Sequence, residues 1–111
     1  MPLDFTHITA VGALVPLPEM KAFLRITDTS HDDDITAIRD SAQNAILAYL
    51  KEAADGTWTD LTVPLPVKHA IKLLTTHYFE HRGDDMHTMS DTEVWAAIDR
   101  LLSMYRDPTL A

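Results

Sequence analysis

No cysteine occurs among the 111 residues. Disulfide frameworks, thiolate zinc sites and cysteine nucleophiles are therefore excluded. Glycine is scarce as well, with three in the chain, and none builds a phosphate-cradling loop. Bases are outnumbered: nine Lys and Arg stand against 17 Asp and Glu, for a formal charge of −8. Non-specific nucleic-acid binding needs cations that displace counterions from phosphates, so this balance opposes it. The first 55 residues hold nine acids and four bases, and the remainder eight and five, so the deficit is spread along the chain. No apolar run approaches the roughly 18 residues that span a bilayer. The first base is Lys21, so the cationic start of a signal peptide is missing, and a soluble, intracellular protein is expected.

What is present fits a globular domain. Hydrophobic residues make up 46% and charged residues 23%, a mixture that supports a core and not a disordered tail. The length suits one domain. Residues 1–17 carry Ile8, Val11, Leu14 and Val15 without helical period, broken by Gly12 and Pro16, and predict an extended arm.

Four helices follow. Pro18 suits the first turn of a short one, where its missing N–H costs nothing, and Met20, Phe23 and Leu24 give that helix an apolar face. Ser30 has the chemistry of an N-cap, with Asp33 at the capping-box position and Asp32, Asp33 and Asp34 at the positive end of the dipole. Ile35, Ile38, Ala42, Ala45, Ile46, Tyr49 and Leu50 then predict a long helix over about 32–54, closed by Gly56. A Thr- and Pro-rich connection contains Trp58 as an anchor against the core. The third helix opens at Pro66, and its stripe is Val67, Ala70, Ile71, Leu74, His77 and Tyr78. After a polar loop, Ser90 and Glu93 form an S-x-x-E box ahead of Val94, Trp95, Ile98, Leu101, Leu102 and Tyr105, and Pro108 stops this last helix. The expected fold class is all-α: a small bundle of about four helices, one long, behind an N-terminal arm. The expected divisions are an arm at 1–17, a helical domain at 18–107 and a tail at 108–111.

Candidate chemistry is thin. Asp28, Ser30 and Asp32 have the opening spacing of a calcium loop, but Asp33 replaces the required Gly and Arg39 the closing Glu. Helix capping explains these acids better. His77 and His81 stand four apart, with His69 two turns earlier, so a metal site is an alternative if Asp84, Asp85 or His87 supplies a third ligand. No nucleophile motif is present, and neither an enzyme nor a cofactor is expected. A DNA-reading helix would display Arg, Lys, Asn or Gln; the third helix offers Lys68, Lys72 and Arg82 among Glu80, Asp84 and Asp85.

Three ordered stretches carry a resemblance. MKAFLRITDTSHDDDITAIRDSAQNAILAYL, VPLPVKHAIKLLTTHYFEHRG and RLLSMYRD together resemble head–tail connector proteins of long-tailed bacteriophages, over about residues 20–107. A short K-x-x-L-R helix leads there through an Asp-rich turn into a long helix, and the family closes on L-L-x-x-Y-R. Met104 stands where those proteins often have a proline, and the resemblance does not align residues 1–17. Relatives occur in prophages and gene transfer agents.

The resemblance implies a homo-oligomeric ring of about twelve copies, closed by heterologous contacts. Such a ring sits beneath the portal in the virion neck, extends the DNA channel and meets the next head-completion or tail protein, with no membrane involved. DNA passes through without specific binding, because an acidic wall repels phosphates. Asp32, Asp33 and Asp34 are the candidates for that wall. Leu101, Leu102, Tyr105 and Arg106 are the candidates for the portal contact. An alternative of a different class is a small acidic helical module that binds or regulates another protein.

Overall fold

The computed structural model describes residues 12–51, 54–81 and 91–106. Four helices make up the bundle: α1 (Leu17–Leu24), α2 (Asp32–Leu50), α3 (Leu65–Glu80) and α4 (Asp91–Arg106). No strand occurs among the described residues, and the all-α expectation holds. Helix α2 packs most extensively on α3, and α4 packs on α3 and, less extensively, on α2. Ile35, Ala42, Ile46 and Leu50 of α2 meet Val67, Ala70, Ile71 and Leu74 of α3 in one apolar core. Val94, Ile98 and Leu102, spaced by four, add the α4 side, and Met20 adds α1. Burying a side chain of this kind stabilises by about 1.5–3 kcal/mol before entropy is counted.

The helix starts follow simple chemistry. Pro16 precedes α1 and Pro64 precedes α3, and each helix carries a second proline in its first turn. Their carbonyls accept the first helical bonds, Met20 N–H to Pro16 at 3.0 Å and Lys68 N–H to Pro64 at 3.1 Å. The start of α2 departs from expectation: His31, not Ser30, is the N-cap, and no side chain caps it. Asp28 is the reason. Its Oδ1 accepts from the Ser30 backbone at 3.2 Å and from the Ser30 hydroxyl at 3.1 Å, so Ser30 closes a turn instead. Asp32, Asp33 and Asp34 still occupy the first turn of α2, favourable for the dipole. The Ser90–Glu93 box falls partly outside the described residues.

Helix α2 ends at Leu50, four residues before the expected Ala54. Lys51 breaks it at φ 54° and ψ −120°. The break lets Ala54 fold back into the core and Trp58 pack against it, as an anchor should. Gly56 does not close the helix. It lies in a turn where Asp55 Oδ1 accepts from the Thr57 backbone and hydroxyl at 2.8 and 2.7 Å. A second turn follows, with Val63 N–H donating to Thr59 O at 2.9 Å and Leu61 N–H to Thr59 Oγ1 at 3.1 Å.

Helix α1 closes on Arg25, a non-glycine residue in the left-handed region at φ 63° and ψ 41°. Ile26 N–H reaches Lys21 O at 3.0 Å, and Arg25 N–H reaches Ala22 O at 3.1 Å. This is a Schellman closure, which favours glycine because a Cβ crowds the following carbonyl. Arg25→Gly is therefore expected to stabilise the fold by about 0.5–1 kcal/mol, read as a higher urea midpoint at unchanged slope.

The sequence reading placed Leu14 and Val15 in an arm, yet both are fully buried in the core. Two polar residues of α2 hold them there. Gln43 accepts from Leu14 N–H at 2.8 Å and donates to Gly12 O at 2.9 Å. Arg39 donates to Val15 O at 3.3 Å and turns its other edge to Asp40. Gln43 thus offers the segment the donor and acceptor that a neighbouring strand would provide.

Candidate functional site

The most built surface of the described residues lies where α1, α3 and α4 meet. Its centre is ionic. Glu19 of α1 takes Lys68 on Oε1 at 3.1 Å and Lys72 on Oε2 at 2.8 Å, so two ammonium groups share one carboxylate. The two lysines stand four apart and present both charges from one side of α3. The Lys72 ammonium also lies 5.6 Å from the centroid of the Phe23 ring, and His69 meets that ring edge-on at 6.1 Å. Beside this cluster runs a groove of about 380 Å³, lined by Glu19, Leu65, Lys68, His69, Lys72 and Leu101. Leu65 is 75% exposed and Phe23 38%.

The hydrogen bond from Lys72 holds the Glu19 carboxyl below its ordinary value of 4.5, burial opposes that shift, and Lys68 adds to it. Such a carboxylate contributes its full stabilisation above pH 4.5 and loses it as pH falls through the lowered folded value. Glu19→Gln is expected to reduce stability at pH 7 by no more than about 1 kcal/mol, since the group is partly exposed. Parent and variant should converge in acid, a difference that urea titrations at pH 7 and pH 3 will read.

The residues singled out from sequence fare differently. Asp33 and Asp34 are exposed at the head of α2, but Asp32 is half-buried and paired with Lys21 at 2.7 Å. Asp32 is thus an α1–α2 tie, and its charge is balanced within the subunit. Leu102 is fully buried with Val94 and Ile98, so it belongs to the core and has no surface to offer a partner. Leu101, one position earlier, is half-buried and lines the groove. The side chains of Tyr105 and Arg106 lie outside the described residues.

His77 and His81 meet, and His69 lies elsewhere. His77 is buried, with its ring centroid 4.4 Å from that of His81, whose Nδ1 lies 2.9 Å from the His77 carbonyl. His69 is occupied at Phe23. Among the described residues no group of three or more His, Cys, Asp or Glu is placed to hold a metal ion. Asp84, Asp85 and His87 lie outside them. The lysines of α3 that a DNA reader would project are tied to Glu19.

A comparison with protein-family models matches residues 15–106 to the phage gp6-like head–tail connector proteins. The chain belongs to this family. The match begins at Val15, inside the clasped segment, and runs through all four helices to the end of α4. No curated protein and no solved structure matches the chain. Membership in the connector family supports a structural role between head and tail, and families of this kind are typically not enzymes. It implies a place in the virion neck and contact with portal and tail proteins. No helix among the described residues is long and apolar enough to cross a membrane.

Two features of this connector fold were missed by the sequence reading. Glu19 and Lys68 are 49 residues apart, and nothing local links them. Arg39 and Gln43 did leave a signal: they fall in register with Ile46 and Leu50, so polar residues interrupt a buried stripe.

Proposed function

We propose that this connector subunit assembles into a ring of about twelve copies, joined by heterologous contacts that close on themselves. The ring lies beneath the portal, lengthens the DNA channel and presents its far side to the next head-completion or tail protein. The observation that carries this reading is the family match over residues 15–106, which takes in every helix of the bundle. Leu61 at 88% exposure and Leu65 at 75% are open to contacts between copies.

Asp33 and Asp34, both exposed, are the acids we assign to the channel wall; Asp32 is half-buried and ties α1 to α2 through Lys21. The portal contact is assigned to the end of α4, Tyr105 and Arg106, with Leu101 at its border. Leu102 supports this end from within. A net charge of −8 suits a bore through which DNA must slide, because like charges keep the phosphates from adhering.

Electron microscopy of the chain mixed with its portal tests the proposal. Annular particles are the expected result, and a chain that stays monomeric and ignores the portal overturns it. Binding of duplex DNA at about 150 mM salt should be negligible, and tight salt-sensitive binding would contradict the repelling bore.

A further inference from the structure

The groove between α1, α3 and α4 has a matching projection on the same molecule. At the corner before α3, Leu61 is 88% exposed, the most exposed large apolar residue among those described. It is not held there by slack: Thr59 fixes the turn through its hydroxyl and its carbonyl, as described above. Next to it stands Asp60, which has no ion-pair partner among the described residues. The corner therefore presents one exposed apolar side chain and one half-buried carboxylate on a hydrogen-bonded turn.

The groove has the converse composition. Leu65 and Leu101 give it apolar walls, and the rim carries Lys68 and Lys72 against the single carboxylate of Glu19. One positive charge is left over, on a chain that is otherwise strongly acidic. A second carboxylate would complete two pairs, and a leucine beside it would cover the exposed apolar walls. The corner does not fill the groove of its own chain, as the exposure of Leu61 shows.

We propose that the Asp60–Leu61 corner of one copy seats in the α1–α3–α4 groove of the next. This rests on the ring reading above and specifies its subunit contact. Each copy offers one projecting and one receiving surface, which is the asymmetry a head-to-tail ring requires. Leu101 then stands where the neighbour contact and the portal contact meet.

The lack of cysteine gives a clean test. Two differently tagged chains, one with Leu61→Cys and one with Leu65→Cys, are mixed, assembled with the portal and oxidised. Disulfide-linked dimers containing one chain of each kind are expected. A single chain carrying both Leu61→Cys and Leu101→Cys should give a ladder beyond the dimer. Leu61→Asp should leave melting unchanged while weakening assembly by about tenfold or more, as for an apolar interface anchor. Annular particles without mixed dimers overturn the proposed contact and leave the ring standing. Unaltered assembly of Leu61→Asp has the same meaning. A parent chain that makes no annuli with the portal overturns the ring, and the contact with it.

Discussion

Leu102→Asp is expected to abolish folding, whereas Leu101→Asp should leave the bundle intact. The two leucines are adjacent, yet Leu102 is fully buried and Leu101 is a half-buried wall of the groove. A carboxylate at position 102 either stays ionised without a partner or takes up a proton, and each choice costs several kcal/mol. That is comparable with the whole stability of a small domain, about 5–15 kcal/mol. At position 101 the charge remains near water, and the change in stability should be within about 1 kcal/mol. Far-UV circular dichroism and urea melts of the two variants will separate them. A folded Leu102→Asp chain that had merely lost portal binding would contradict the core placement and return Leu102 to the interface.

The second large effect concerns Gln43. Its side chain satisfies Leu14 N–H and Gly12 O together, at a site from which Leu14 is sealed off from solvent. Gln43→Met keeps most of the volume and removes both hydrogen bonds. A buried N–H without a partner costs about 1–3 kcal/mol, whereas the carbonyl of the exposed Gly12 can turn to water. The expected loss of stability is therefore about 1–3 kcal/mol, read as a lower urea midpoint at unchanged slope. Limited proteolysis should also cut the chain ahead of Leu17 faster in the variant. An unchanged midpoint would mean that the clasp contributes nothing and that Leu14 and Val15 are held by packing alone.

The stripes of the helices were legible because helical burial repeats locally. Ile35, Ala42, Ile46 and Leu50 lie on one side of α2 by spacing alone, and Val94, Ile98 and Leu102 do the same on α4. That last spacing already separates Leu102 from Leu101. Boundaries were less legible, since they answer to distant demands. Helix propensity alone would carry α2 on to Ala54, but Ala54 and Trp58 are needed at the core, and Lys51 turns to deliver them. Ser30 has the chemistry of a cap and is diverted by Asp28 two residues away. In the candidate face, the exposed leucines and the lysine pair were visible as residue types. Their meeting with Glu19 was not, because it depends on how α1 lies across α3.

The clasp on α2 also determines where a mechanical load enters the subunit. Tension applied to the chain ahead of Gly12 does not first strip away α1, which follows it in sequence. It reaches Gln43 and Arg39 directly, midway along the longest helix, and is shared from there with the helices packed around it.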